Sequence, residues 1–134
     1  MRLLVTAAVI ERDGKLLVTR RPRGAHLEGY WEFPGGKCEN GESLDACLRR
    51  EIIEELDASV DVHEEIYRVA HPYPDRTVEL RFFRCTLRGE ARPTMGQEMR
   101  WVARADLGSL TFPPADAELI EILRKGVTNG TPSA

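Results

Sequence analysis

Apolar and polar positions change rhythm along this chain, and each rhythm predicts an element. Residues 3–10, LLVTAAVI, are apolar and carry β-branched side chains, the pattern of a buried strand. Asp13-Gly14 follows, a dipeptide suited to a tight hairpin, and residues 16–20 read as the returning strand. RPRGAHLEG (21–29) is a polar loop. Tyr30 to Phe33 is a short apolar piece, broken by Pro34-Gly35-Gly36. From Leu44 to Leu56 the spacing turns helical, with Ser43 placed as N-cap and Asp45 suited to the first-turn dipole. Strands follow at 60–69 and 77–87. In the second, alternation through Val78, Leu80 and Phe82 shifts phase to Phe83, Cys85 and Leu87, which predicts a bulge in that strand. Residues 98–103 form a further strand and 115–125 a closing helix. No repeat or linker divides the chain, so 1–127 read as one domain and 128–134 as a flexible tail. Strands and helices mix without regular βαβ alternation. The expected class is α/β, a mixed sheet flanked by helices.

One feature breaks the helical rhythm. RREIIEEL (49–56) places three glutamates within five positions. At about 100° per residue, Leu44, Leu48 and Ile52 form one stripe, and Glu51 and Glu55 fall near its middle. Glu54 lies at its edge. A charge run is usually a solvated helix face, but these carboxylates interrupt the apolar one. Their i, i+3, i+4 spacing lets Glu51, Glu54 and Glu55 converge on one point. Burying them uncompensated costs several kcal/mol. A hard divalent cation is the natural partner, and magnesium takes oxygen ligands together with substrate phosphates. Arg50, four residues before Glu54, is spaced to pair with it. Gly35-Gly36 let the backbone approach a ligand closely, offering a carbonyl to the metal, and Lys37 is placed to meet a phosphate.

Composition narrows the partner. The net charge is −3, which argues against a nucleic-acid polymer and leaves a small anion bridged by a cation. With 42% hydrophobic and 31% charged residues the chain reads as soluble and globular. No signal-like or membrane-spanning stretch appears, so the cytoplasm is the expected compartment. Cys38, Cys47 and Cys85 are odd in number and lack C-x-x-C spacing; neither a disulfide framework nor a zinc site is expected of them.

These residues resemble the Nudix hydrolase signature, G-x5-E-x7-R-E-U-x-E-E-x-G-U with U a bulky aliphatic. Gly36, Glu42, Arg50, Glu51, Ile52, Glu54 and Glu55 stand at the required spacings. Asp57 replaces the glycine of the motif and Ala58 its last aliphatic; Asp tolerates the positive φ of a helix C-cap better than most residues. The resemblance implies an α/β/α sandwich and hydrolysis of nucleoside diphosphates linked to a further group. It implies Mg2+, with Mn2+ able to substitute, held by Glu51, Glu54, Glu55 and the Gly36 carbonyl. Arg50 would orient a glutamate and Glu42 would support the site. A water activated by the metal would attack.

The flanks are most similar to the MutT branch, which cleaves nucleoside triphosphates to monophosphate and pyrophosphate. TRRPRGAH (19–26), WEFPGGK (31–37), PDR (74–76) and FPPAD (112–116) carry that likeness. It implies phosphate or sugar contact for Arg21, a closing loop with His26, base packing by Phe33, a purine-edge contact from Arg76, and base reading by Asp116. The branch places a carboxylate six residues before Trp101, where this chain has Met95; Glu98 is the nearest substitute as catalytic residue. Where the bacterial pattern has asparagine, an ionised Asp116 can only accept, as from N1–H and the 2-amino group of a guanine with O6 left to Arg76, and a protonated one can also donate, as to cytosine N3. The expected substrate is therefore 8-oxo-dGTP, with (d)CTP or 5-methyl-dCTP as the alternative. ADP-ribose fits the flanks poorly. The complete R-E-x-x-E-E counts against a domain that only binds nucleotide or protein. The expected assembly is a monomer or homodimer.

Overall fold

The computed structural model describes residues 2–126; the tail expected at 128–134 lies outside them. The strands are β1 (Arg2–Arg12), β2 (Lys15–Arg20), β3 (Trp31–Glu32), β4 (Gly35–Lys37), β5 (Ser59–Tyr73), β6 (Arg76–Arg88) and β7 (Met99–Ala103). The helices are α1 (Leu44–Leu56) and α2 (Ala117–Arg124). The β1–β2 hairpin turns through Asp13 at φ 54° and Gly14 at φ 77°, the positive-φ pair its sequence demands. Strand order is β3-β2-β1-β6-β5, with β4 added on β1 and β7 on β2. β1 and β6 run parallel while every other pairing is antiparallel, so the sheet is mixed.

The apolar run of β1 is explained by two covered faces. Ala8 and Ile10 point to Leu48, Ile52 and Leu56 of α1. Ala7 and Val9 point to Leu119 and Leu123 of α2, with Leu107 from a 3-10 turn. Helices thus cover both sides of the sheet, the expected sandwich. Leu48, Ile52 and Leu56 are fully buried, each worth about 1.5–3 kcal/mol of transfer free energy.

Three expectations need correction. The phase change in β6 is not a bulge in that strand. Phe82 packs on the α2 side, whereas Cys85 and Leu87 pack on the α1 side. A straight strand covered first on one face and then on the other shows the same shift. The irregularities lie in the partner β5, between Val62 and Glu65 and between Glu65 and Tyr67. Gly35-Gly36 is not only a loop, because β4 pairs with β1 through Thr6↔Gly36 and Ala7↔Gly35. Cys38 and Cys47 are joined by a disulfide, with Cα atoms 5.3 Å apart. The loop after β4 folds back onto α1 and brings together two cysteines nine residues apart, a proximity no spacing motif announces.

The C-terminal helix also differs in detail. Its first turn, Pro114–Asp116, is 3-10, with Pro114 at the start where a missing N–H costs nothing. No helix among the described residues is long and apolar enough to cross a membrane.

Candidate active site

α1 is set at both ends by local chemistry. Ser43 Oγ accepts from the Ala46 N–H at 3.1 Å. Asp57 takes the left-handed C-cap at φ 51°, and its N–H donates to Ile53 O at 3.0 Å. The aspartate that replaces the motif glycine therefore adopts the glycine's conformation. These ends fix which residues of α1 face β4.

The two glycines of β4 allow that approach. A Cβ on Gly35 would lie 2.0 Å from the Thr6 carbonyl oxygen, and one on Gly36 would lie 2.1 Å from Glu51 Oε1. Glycine at 36 lets β4 and the helix carboxylate come so close, and glycine at 35 lets β4 lie against the β1 backbone.

Arg50 organises the carboxylates. Its Nε and Nη2 donate to Glu42 at 2.5 and 2.9 Å. Nη1 donates to Glu51 at 3.0 Å and to Glu54 at 3.2 Å, and Nη2 reaches the Lys37 carbonyl at 3.2 Å. The guanidinium, then the Glu39 amide, hold the Glu42 carboxyl down to about 2. Burial pushes the Glu51 carboxyl up, against the lowering effect of Arg50.

Glu55 is different. Burial, then the charges of Glu32 and Glu51, push its carboxyl up to about 8. The Gly35 amide donates to it, but Oε1 is buried without a hydrogen-bond partner among the described residues. The three glutamates do not close to a single point. Among the described residues, the group of three ligand-type side chains within 4.8 Å of one another is Cys38, Glu42 and Cys47. Mutual repulsion accounts for this: Arg50 draws Glu51 and Glu54, while Glu55 turns to Gly35. An all-oxygen, net-negative donor set with one orphaned buried oxygen fits a hard divalent cation.

A pocket of about 230 Å³ shares Arg21 and Glu32 with the cavity that Glu55 lines. Arg21, His26, Phe33, Arg76 and Asp116 all line it, so the structure brings together five of the six residues the sequence assigns to substrate. Phe33 is also core: it is buried and stacks on Phe112 with ring centroids 5.5 Å apart. His26 meets the β5–β6 hairpin edge-on at Tyr73, 6.1 Å between ring centroids. Asp116 is 5% exposed, and burial, then the charge of Glu32, push its carboxyl up to about 7.

Two assigned residues lie apart. Lys37 is exposed at the end of β4 and does not line this pocket. Glu98 pairs with Arg20 and Arg100 at 3.2 Å and lines a neighbouring groove with Met95. The cavity that Glu55 lines is completed by Gln97, whose Nε2 donates to the Glu55 carbonyl at 3.3 Å.

Sequence reasoning assigned no role to Glu32. It lines both the Asp116 pocket and the Glu55 cavity, its carboxyl is pushed up by burial, and Arg21 stands 3.5 Å away. The signal was present: a carboxylate inside the apolar piece YWEF, the same anomaly that marked the helix glutamates.

Comparison with known proteins gives the family. The NUDIX domain family matches residues 5–122. An 8-oxo-dGTP diphosphatase of Haemophilus influenzae is 35% identical over 122 residues, 89% of each chain. A CTP pyrophosphohydrolase of Escherichia coli is 34% identical over 118 residues, 87% of each chain. The solution structure of the Escherichia coli ORF135 protein superposes with a TM-score of 0.80 at 33% identity, covering 90% of this chain and 86% of that one. With the signature residues gathered on β4 and α1, the chain belongs to the NUDIX family, in its MutT-like branch, and is a Nudix hydrolase.

Proposed function

We propose that this hydrolase cleaves nucleoside triphosphates to the monophosphate and pyrophosphate, with 8-oxo-dGTP as preferred substrate. Residues 1–127 act as one catalytic domain. Glu51, Glu54, Glu55 and the Gly36 carbonyl hold Mg2+, and Mn2+ substitutes. The bound cation supplies an activated water and offsets charge on the departing phosphate. Arg50 fixes Glu51 and Glu54 while Glu42 fixes Arg50. Arg21 reaches phosphate or sugar from beside Glu32. His26 closes the loop over the nucleotide. Phe33 and Arg76 flank the base, Lys37 meets a phosphate, and Glu98 stands in for the loop carboxylate as catalytic residue.

The observation that carries this reading is the shared wall. Glu32 borders both the Glu55 cavity and the Asp116 pocket, so phosphates at one and a base at the other belong to one bound molecule. The ionised Asp116 carboxylate accepts from N1–H and the 2-amino group of 8-oxoguanine, leaving O6 to Arg76. The 8-oxo-dGTP diphosphatase relatives, at 35% and 30% identity, support this choice.

A second reading has its own observation. With its carboxyl at about 7, Asp116 is partly protonated near neutrality. A protonated Asp116 donates to cytosine N3 and accepts from the 4-amino group, which suits (d)CTP or 5-methyl-dCTP. The relative named CTP pyrophosphohydrolase belongs to this reading.

In either case the substrate is a free nucleotide in the cytoplasm. The protein works as a monomer or homodimer without nucleic-acid polymer or membrane, and in the first reading removes damaged nucleotides before replication uses them. Glu54→Gln tests the chemistry. A catalyst loses orders of magnitude in kcat and keeps its fold; a binding domain loses affinity alone.

A further inference from the structure

The disulfide corrected above sits in a particular place. Cys38 follows β4 directly, and Cys47 lies in the first turns of α1. Between them the chain carries Glu42, which holds Arg50, and Ser43, which caps α1. The Cys38 N–H donates to the Leu4 carbonyl at 2.9 Å, anchoring the loop's start to the sheet. Cys47 is fully buried, 3.3 Å from Thr6 Oγ1, whereas Cys38 is partly exposed. Ligand atoms of Cys38, Glu42 and Cys47 all lie within 4.8 Å of one another. The sulfur pair and the carboxylate that fixes Arg50 are thus one cluster.

We propose that Cys38–Cys47 is a reversible redox site that sets the position of Glu42 and, through it, of Arg50. Glu42 is then a positioning residue whose hold depends on the state of the sulfur pair. A thiolate of a dithiol reductant attacks Cys38 Sγ, the accessible sulfur. The Cys38–Cys47 bond breaks and Cys47 leaves as thiolate, then takes a proton. The reductant's second thiol attacks the mixed disulfide and releases Cys38 as thiol. Two electrons and two protons have passed to the protein, and the reductant has become a disulfide. Oxidation runs the reverse way against the disulfide of a low-molecular-weight thiol, in two exchanges that return two reduced thiols.

Oxidation closes the ring and ties the Glu42 loop to α1. Reduction frees the loop, and Arg50 loses the partner that orients it toward Glu51 and Glu54. Structural disulfides are rare in the cytoplasm, where those that form are transient or redox-sensing. The site is therefore tightened under oxidising conditions, the same conditions that generate oxidised nucleotides. This inference rests on the metal site proposed at Glu51, Glu54 and Glu55, and is independent of which base is preferred.

The test uses the full chain, reduced with dithiothreitol or oxidised with glutathione disulfide. Thiol alkylation after denaturation assigns the state: of three cysteines, one reacts in the oxidised protein and three in the reduced. Two quantities are measured in each state. One is the Mg2+ concentration giving half-maximal turnover. The other is Mn2+ affinity by electron paramagnetic resonance, which needs no turnover. Reduced protein should bind Mn2+ about tenfold more weakly, as expected when a group orienting metal ligands is loosened. Re-oxidation should restore it. Cys38→Ser should match the reduced protein and ignore both reagents. Glu42→Gln should bind weakly in both states, which a disulfide acting only on overall stability would not produce. Equal Mn2+ affinity in two states with different thiol counts would overturn the proposal. So would failure of the disulfide to form, or thiols that prove to be occupied by a metal on elemental analysis. If Mn2+ binding responds to redox state but no nucleotide is hydrolysed, the redox site stands and the proposed substrate reading fails.

Discussion

Adjacent glycines of β4 are required for different reasons, and substitution separates them. The obstacle at Gly36 is the end of a flexible side chain, Glu51, which can swing away. Gly36→Ala should leave the melting temperature nearly unchanged while displacing Glu51, the carboxylate proposed to hold the metal. A rate loss of about a hundredfold is the scale for a misplacement near 1 Å. The obstacle at Gly35 is the Thr6 backbone, which cannot move without β1. Gly35→Ala should therefore lower soluble yield and melting temperature sharply. Thermal unfolding measured beside kcat distinguishes the two; a Gly36→Ala protein with parental kcat would show that Glu51 need not sit where it does. Asp116 yields a pH prediction. Its folded carboxyl titrates near 7, above its unfolded 3.8, so the protonated form is favoured by folding. The stability linked to that proton is full below about 3.8 and is lost as pH rises through about 7. Asp116→Asn should gain melting temperature relative to the parent between pH 5 and pH 8. Around Asp116 stand the charged and titratable groups Glu32, Arg21, His26 and Arg76, with Tyr67 and Glu118 from β5 and α2. Glu32 and Tyr67 are coupled to Asp116 by charge, so the difference between the two proteins reports Asp116 together with these neighbours.

The element that carries the chemistry also holds the fold. α1 buries Leu48, Ile52 and Leu56 on the same side that presents Glu51 and Glu55. Leu48→Ala should cost about 2–5 kcal/mol, read by denaturant unfolding. At saturating substrate below the unfolding range, the surviving folded protein should keep most of its kcat. The bounds of this helix and its Ser43 cap were legible as local preferences, and its left-handed Asp57 end through the glycine position of the resembled motif. The β1–β2 hairpin was legible for the same reason. What stayed hidden depends on distant partners. Gly35-Gly36 has no strand propensity, and only pairing with β1 makes it a strand. The phase shift in β6 looked like a bulge because sequence does not say which layer covers which half of a strand. Cys38 and Cys47 met through a loop whose path no periodicity encodes. In the site, motif positions could be named from spacing, and Glu32 was marked as a carboxylate inside an apolar piece, whereas Gln97 acquires meaning only from the cavity it borders.

At the scale of the whole molecule, the sheet separates two jobs that a nucleotide rejoins. α1 and β4 gather carboxylates on one side, and the pocket ending at Asp116 opens on the other. Arg21 and Glu32 stand where the two meet. The chain is acidic overall, at −3, and its site concentrates that charge, so an anionic substrate requires a cation to bridge it. Removal of divalent metal with a chelator should abolish turnover, and excess Mg2+ should restore it. The proposed metal site and the proposed base pocket at Asp116 serve one bound nucleotide. The most direct measurement is kcat/KM with Mg2+ for 8-oxo-dGTP, dGTP, 5-methyl-dCTP, dCTP and ADP-ribose, with pyrophosphate release recorded. The account predicts pyrophosphate as product, 8-oxo-dGTP as the best substrate, and a changed ranking in Asp116→Asn. A cytidine nucleotide ranked first would contradict the base assignment and leave the chemistry intact; an unchanged ranking in Asp116→Asn would remove Asp116 as the reader of the base.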